Sequence, residues 1–265
     1  MSANPNHHYF DGFYQLIWQQ IIPPALTQKE VEHILAHFQL NATTPVLDLM
    51  CGYGRHALAL ATQGIPVTAI DNQSSYIDQI ETQATEQNLP LTAICSNALD
   101  WNPIPQHQLA LCMGNSLNFF SPAELPVFLQ KVSASLLPGG YFWINSWSIS
   151  EIALQDPLDG ETLATQLGDF SHTNTFHLKT DPLRIEIESR IEDAKGNREE
   201  KLAIDYLYSI PVLSDALKQA GLDLLVGQHG FAFGAPVHGG AFLVGQPLFD
   251  HPEEEELFPF VVFRF

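Results

Sequence analysis

The sequence predicts an α/β fold: a mostly parallel sheet with helices on both faces and an inserted antiparallel β segment. Three observations carry this. From Pro45 onward, short apolar runs alternate with helical ones, the rhythm of parallel strands joined by crossover helices. A glycine turn, Cys51-Gly52-Tyr53-Gly54, stands between the first such strand and its helix. Between about Thr175 and Tyr208 the pattern changes to period-two alternation, as in Arg184-Ile185-Glu186-Ile187-Glu188.

The elements follow in order. An amphipathic segment through Phe13, Leu16, Ile17 and Ile21 ends at Pro23-Pro24, and a second helical pattern runs through Val31, Ile34, Leu35 and Phe38. Val46 to Met50 is an apolar strand interrupted by one acid, Asp48. A helical run from Arg55 to Gln63 follows, with Gly64 placed to end it. Val67 to Ile70 is the next strand, closed by Asp71, and Ser74 or Ser75 caps a helix reaching Gln87. Leu91 to Cys95 and Leu109 to Met113 are the third and fourth strands. Ser121-Pro122 opens a helix to Leu137, where Pro138-Gly139-Gly140 stops it, and Tyr141 to Ser146 is the fifth strand. The alternating stretch contains a Lys195-Gly196-Asn197 turn. A helix from Leu213 to Ala220 ends at Gly221, and strands near Leu222 to Val226 and Ala241 to Val244 close the fold. Those last strands need partners, so the β segment is read as an insertion within one domain.

Composition narrows the function. The chain has 265 residues, 45% hydrophobic and 15% charged, which is globular composition with room for a sizeable core. Its net charge is -19, with only 11 Lys plus Arg. Phosphate neutralisation dominates nucleic-acid affinity, so no nucleic-acid partner is expected. No apolar run approaches the ~20 residues of a membrane helix, and no secretory leader is visible at Met1 to Tyr9. Cys51, Cys95 and Cys112 lie in apolar stretches and read as buried thiols of a cytoplasmic protein, with no metal site expected. The run Glu253 to Glu256 reads as a solvated stretch.

The stretch Val46 to His56 holds the densest chemistry. Glycines in a strand-to-helix turn let a ligand approach the main chain, and ligands of open parallel sheets collect at strand carboxyl ends. Asp71, at the end of the next strand, can accept hydrogen bonds from a ribose diol. Dinucleotides and S-adenosylmethionine both fit such a turn, and Asp48 separates them. An acid there would repel a pyrophosphate but suits a sulfonium and an ammonium. Hydrogen bonding to neighbouring backbone is the other reading of Asp48.

With these residues the chain resembles the class I S-adenosylmethionine-dependent methyltransferases, in the Asp-Leu-x-Cys-Gly-x-Gly-Arg-His form of their small-molecule branch. Over roughly Val46 to Gly245, the resemblance implies a Rossmann-like sheet of seven strands. It implies that Asp48, Cys51, Gly52, Gly54 and Arg55 meet the cofactor at the first turn, with Asp71 and Asn72 at the ribose. Asn97-Ala98 resembles the Asp-Ala pair beside adenine, with Asn in place of the usual Asp. Met113-Gly114-Asn115 resembles the segment lining the methionine and methyl group. Leu136-Leu137-Pro138-Gly139-Gly140 matches the turn before strand five, which dinucleotide dehydrogenases do not share. Arg55 and His56 are read equally as helix-end packing or surface residues.

The expected activity is methyl transfer to nitrogen or oxygen of a small-molecule acceptor, with a homodimer as one open arrangement. Residues 1–44 are read as a helical segment covering the cofactor site, and residues 45–265 as the methyltransferase domain with a β cap at about 172–210. Candidate catalytic residues are Tyr14, which resembles part of the family's N-terminal closing segment, and His229 and His238 in a glycine-rich stretch. Trp147 and the pair Tyr206 and Tyr208 are further candidates for the acceptor side. Two other classes stay open: a nucleotide-dependent oxidoreductase, and a non-methylating protein of this fold that binds S-adenosylmethionine or S-adenosylhomocysteine.

Overall fold

The computed structural model describes residues 4–146, 148–155, 157–225 and 260–264. After a short 3-10 turn at Pro5–His8 come α1 (Gly12–Ile21) and α2 (Pro24–Phe38), separated at Pro23. The alternating region then runs β1 (Val46–Leu49), α3 (Arg55–Thr62), β2 (Val67–Asp71), α4 (Ser74–Glu86), β3 (Leu91–Cys95) and β4 (His107–Cys112). It continues through α5 (Leu125–Ser135), β5 (Leu136–Asn145) and the short α6 (Ser150–Ala153). The inserted strands are β6 (Thr162–Leu167), β7 (Phe170–Thr180), β8 (Leu183–Asp193) and β9 (Arg198–Tyr206). After them come α7 (Ile210–Gln219), β10 (Asp223–Leu225) and β11 (Phe260–Arg264).

Five strands are parallel, in the order β3-β2-β1-β4-β5. β11 extends this sheet antiparallel to β5, and β10 pairs antiparallel with β11. The strand beside β5 is thus Phe260–Arg264, while the expected strand at Ala241 to Val244 lies outside the described residues. Successive side chains of a strand point to opposite faces, and β1 shows the consequence. Leu47 and Leu49 join a core with Phe128 of α5 and Leu213 and Leu217 of α7. Val46 faces the other way, toward Val31 and Ile34 of α2 and Ala57 and Leu60 of α3. Both faces are buried, so the strands read as continuous apolar runs.

Local boundaries shift for identifiable reasons. α5 starts at Leu125, not Ser121, because Ser121 and Glu124 close a reciprocal turn first. Ser121 N–H donates to Glu124 Oε2 at 2.8 Å, and Glu124 N–H to Ser121 Oγ at 3.4 Å. The Pro138-Gly139-Gly140 segment does not separate helix from strand. It lies within β5, with Gly139 at φ +80°, and the β4–β5 register slips between His107 and Leu109. α7 begins at Ile210 because the Ser209 side chain accepts from Val212 N–H.

The inserted region is a separate four-stranded antiparallel sheet in the order β6-β7-β8-β9. It begins at Thr162, ten residues before the expected start near 172. The Lys195-Gly196-Asn197 turn is where the sequence puts it: the Asp193 carboxylate accepts from Lys195 N–H at 2.8 Å and Asn197 N–H at 2.9 Å. One face of this sheet holds α1, with Tyr9, Tyr14 and Ile17 packed on Ile191 and Ala203. The two N-terminal helices therefore serve different sheets. The thiols also divide: Cys112 is buried and Cys51 partly so, but Cys95 is exposed because it ends the edge strand β3, correcting the expectation that all three are buried.

Candidate functional site

The carboxyl ends of β1, β2, β3 and β4 meet at a cleft enclosing about 1020 Å³ of space, its mouth included. Its floor is the turn after β1. Met50, Gly52 and Gly54 all have positive φ, at 55°, 56° and 77°, which reverses the chain within a few residues. For Met50 that backbone is strained, and such strain concentrates at functional sites. A side chain at Gly52 would meet no atom within 4 Å, so the turn opens its backbone to the cleft. Gly54 is different. A Cβ there would lie 2.6 Å from Ile80, so this glycine lets α3 and α4 pack.

Two carboxylates flank the turn. Asp71 holds it: Oδ2 accepts from Gly52 N–H at 2.8 Å and Oδ1 from Gln73 N–H at 2.9 Å. A carboxylate has about four acceptor positions, so it retains capacity for a ligand diol. Asp48 is buried on β1 at 1% exposure, and its Oδ2 has no hydrogen-bond partner among the described residues. Burial pushes its pKa up to about 7, against the charge of Arg55 and the hydrogen bond from Ala57 N–H. An unpartnered buried acid lining a cleft is complementary to a cation.

Arg55, at the first position of α3, lines the cleft and ion-pairs with Glu30 of α2, while Nη1 also donates to Thr27 Oγ1 at 3.1 Å. His56 Nε2 lies 3.1 Å from the same Glu30 oxygen. Burial and the nearby Arg55 charge lower the His56 pKa to about 4, so at neutral pH His56 gives Glu30 a hydrogen bond and Arg55 supplies the charge. Both residues thus pack a helix end and border the cleft. Beyond β3, Asn97 Oδ1 accepts from Leu99 N–H at 2.8 Å, and its Nδ2 lies 3.2 Å from His7 Nε2. After β4, Gly114 N–H donates to Asn145 Oδ1 at 2.6 Å.

The cleft brings together Asp48, Cys51, Gly52, Arg55, Asp71, Asn72, Asn97, Ala98, Met113 and Gly114. Gly54 and Asn115 do not line it. Asn115 instead turns away, with Nδ2 donating to Ser148 Oγ at 2.8 Å and to Asp205 Oδ2 at 2.9 Å. Tyr14 is also off the cleft. It is buried among aromatic rings, 4.3 Å from Tyr9 and 5.7 Å from His172 between ring centroids. Tyr208 is buried too, its hydroxyl donating to Phe120 O at 2.7 Å. His229, His238 and Trp147 lie outside the described residues.

Sequence reasoning expected residues 1–44 to cover the site but did not single out the residues of the roof. Asn4, Asn6, His7 and Phe10 line the cleft from above, facing Phe119 and Phe120. The Asn6 amide donates to Phe119 O at 3.2 Å and Ile204 O at 2.8 Å, while Gln73 Nε2 donates to His7 O at 3.1 Å. The strap therefore bridges both banks. Tyr53, Tyr76 and Trp18 complete an aromatic wall. Aromatics next to the glycine turn and after the fourth strand were a usable signal; lone asparagines in a polar N-terminus were not.

Residues 46–140 match a family model described as a methyltransferase domain. The ubiquinone biosynthesis O-methyltransferase of Rickettsia akari is 31% identical over 104 residues, which is 39% of this chain and 41% of that protein. The chain thus spans about two fifths of that relative's length. The carboxy-S-adenosyl-L-methionine synthase of Vibrio vulnificus is 24% identical over 178 residues, 64% of this chain and 70% of that one. Among solved structures, an S-adenosylmethionine-dependent methyltransferase from Clostridium acetobutylicum aligns with a TM-score of 0.68 at 16% identity, covering 95% of each chain. The amino pentose methyltransferase CalS10 from Micromonospora echinaspora, solved with S-adenosylmethionine bound, aligns at 0.66 and 15% identity, covering 96% of this chain and 97% of that one. These likenesses show the fold: Rossmann-like α/β with five parallel strands and a separate antiparallel sheet.

Proposed function

We propose that this chain, whose residues 46–140 form a methyltransferase domain, is an S-adenosylmethionine-dependent methyltransferase acting on nitrogen or oxygen of a small-molecule acceptor. The observation that carries the reading is Asp48, a buried carboxylate with one unpartnered oxygen beside a glycine turn open to the cleft. That chemistry fits a ligand with cationic groups. Asp48 and the turn Cys51-Gly52 would hold the cofactor's amino acid end, Asp71 and Asn72 the ribose hydroxyls, Asn97 and Ala98 the adenine, and Met113 and Gly114 the methyl end. When bound, the cofactor supplies a methyl group already activated on sulfur. The chain's own work is then largely positioning, which converts an encounter into an oriented attack.

Phe10, Phe119 and Phe120 exclude water from the cleft, and the Asn4–His8 strap closes over it. The strap and α1 are the part of the expected 1–44 cover that borders the cofactor site. The inserted sheet caps the acceptor side, the role expected of residues 172–210. The acidic surface and buried polar cap favour a small acceptor over nucleic acid. No helix of the described residues is long and apolar enough to cross a membrane, and we place the protein in the cytoplasm, with the outer face of the inserted sheet as the candidate surface for a homodimer.

Titration calorimetry tests the reading directly. S-adenosylmethionine and S-adenosylhomocysteine are expected to bind, and NAD and NADP to give no heat. Binding of the dinucleotides without the adenosyl ligands would overturn it in favour of an oxidoreductase.

A further inference from the structure

Side chains on a helix lean toward its N-terminus, so a residue in the first turn reaches back over whatever precedes the helix. In α4 that residue is Tyr76, two places after Ser74, and what precedes it is Asp71 and the cleft. The other buried residues of α4, Ile77, Ile80 and Ala84, are apolar. Tyr76 is 1% exposed and lines the cleft, yet its hydroxyl has no hydrogen-bond partner among the described residues. Buried tyrosines with a structural task are different. Tyr9 lies 2.7 Å from Ser189 Oγ, and Tyr208 donates to Phe120 O at 2.7 Å. A phenylalanine at position 76 would line the same wall without the desolvation cost of a buried hydroxyl.

The surroundings say what that hydroxyl can meet. Burial raises the Tyr76 pKa, and the nearby charge of Asp71 and then Tyr53 raise it further, so Tyr76 keeps its proton and is a neutral donor. Asp71 does not take that proton. Its oxygens accept from Gly52 N–H at 2.8 Å and Gln73 N–H at 2.9 Å. The side-chain amides next to Asp71 are engaged with the strap: Asn72 Nδ2 and Gln73 Nε2 donate to His7 O at 3.4 and 3.1 Å. One cleft thus holds an O–H donor and a carboxylate that do not bond each other. A group that serves both must accept from Tyr76 and donate to Asp71. A hydroxyl does this; an ammonium leaves the Tyr76 proton unmet, and a carboxylate has nothing to give Asp71.

We infer that Tyr76 is a ribose-binding residue: its hydroxyl donates to one of the two ribose hydroxyls of the adenosyl cofactor, and that same hydroxyl donates to Asp71. This rests on the methyltransferase reading above and adds to its ribose site a donor that the strand ends do not supply. Asp71 alone reads a hydroxyl as a donor. With Tyr76 the site reads it as donor and acceptor together, which fixes its orientation. The bond also ties α4 to the ligand, so the cofactor bridges α4 and the glycine turn after β1.

The test titrates S-adenosylhomocysteine and its 2′-deoxy and 3′-deoxy analogues calorimetrically into the full chain, as wild type and as Tyr76→Phe. The variant keeps the ring in the wall and removes the hydroxyl alone. S-adenosylhomocysteine is expected to bind it about fivefold more weakly, the scale of one neutral hydrogen bond. One deoxy analogue binds both proteins alike, because the oxygen that Tyr76 meets is gone; the other keeps the fivefold difference. The ligand-free variant melts no lower than wild type, because the lost hydroxyl gives up no protein partner. Equal weakening of all three ligands, or weakening of none, overturns the assignment and makes Tyr76 a part of the wall alone. A ligand-free variant that melts well below wild type also overturns it, by showing that the hydroxyl serves the protein. Failure of S-adenosylhomocysteine to bind wild type is a separate result, and it overturns the cofactor reading.

Discussion

The parallel sheet and the inserted sheet bury their faces with different chemistry. Between β1 and β4 the buried positions are almost all aliphatic, and Asp48 is the acid among them. The inner face of the inserted sheet meets α1, the Pro5–His8 turn and the segment after β4, and it carries His172, Asn174, Ser189 and Asp205. The parallel sheet gains its stability from apolar area, roughly 25 cal/mol per Å², and can hold one unsatisfied acid in place. The inserted sheet gives up some of that gain for buried polar groups, which specify partners through hydrogen bonds. The first is a scaffold with a general ligand site at its strand ends. The second is a sheet whose inner face is held partly by hydrogen bonds.

The largest effect is expected at the joint that fixes α2 to the scaffold. Glu30 is buried, ion-paired with Arg55 and hydrogen-bonded to His56. Glu30→Ala leaves a largely buried guanidinium without its counter-charge, and breaking such a pair costs about 3–5 kcal/mol. Urea unfolding checks this; a loss below about 1 kcal/mol would mean solvent screens the pair as at a surface. The pH dependence has a definite sign. Burial raises the Glu30 pKa, but the His56 hydrogen bond and the His56 and Arg55 charges outweigh it and bring it down to about 2. That contribution is full above about 4.5 and is lost as pH falls toward 2. His56, lowered to about 4, costs stability as pH falls from 6.5 through 4, because the unfolded chain takes up the proton first. Wild type therefore weakens steadily on acidification, and Glu30→Ala removes the lower part of that decline.

What could be read from sequence divides along the same line. The parallel half was legible because each strand, turn and helix is specified locally: apolar runs, Gly52 and Gly54 at the turn, Asp71 at a strand end. Ten of the twelve expected cofactor positions line one cleft because all of them sit at strand ends, whose place follows from topology. Asn115 departs because its side chain answers to Ser148 and Asp205, which lie 33 and 90 positions away. β6 was missed because Thr162 to Leu167 forms an edge strand with mixed composition, visible as a strand only through its pairing with β7. Tyr14 was expected at the cofactor, yet packing against the inserted sheet claims it. Period-two alternation locates a strand but does not say what its inner face meets.

A middle-sized effect is expected on ligand affinity. Asp71→Ala removes the acceptor assigned to the ribose hydroxyls, and it also releases Gly52 N–H and Gln73 N–H. Losing hydrogen bonds to a buried polar group weakens S-adenosylmethionine binding by about 1–3 kcal/mol, read by calorimetry. Unchanged affinity would move the ribose elsewhere in the cleft.

The smallest effect is expected at the strap, the segment that touches both regions. Asn6 joins Phe119 O on the scaffold side to Ile204 on β9, accepting from Ile204 N–H at 2.8 Å and donating to Ile204 O at 2.8 Å. Asn6→Ala leaves both Ile204 groups to find other partners, while Phe119 O keeps the Asn4 amide at 3.1 Å. A neutral hydrogen bond is worth about 1 kcal/mol net, and the stability cost is on that scale. The kinetic consequence is larger than the thermodynamic one. With the strap untied from β9, S-adenosylhomocysteine leaves faster, while its entry rate changes little, because affinity differences within one site fall mostly on dissociation. Stopped-flow displacement measures both rates. An unchanged dissociation rate would make the strap a part of the inserted sheet's packing alone, and the cleft would then open through another element.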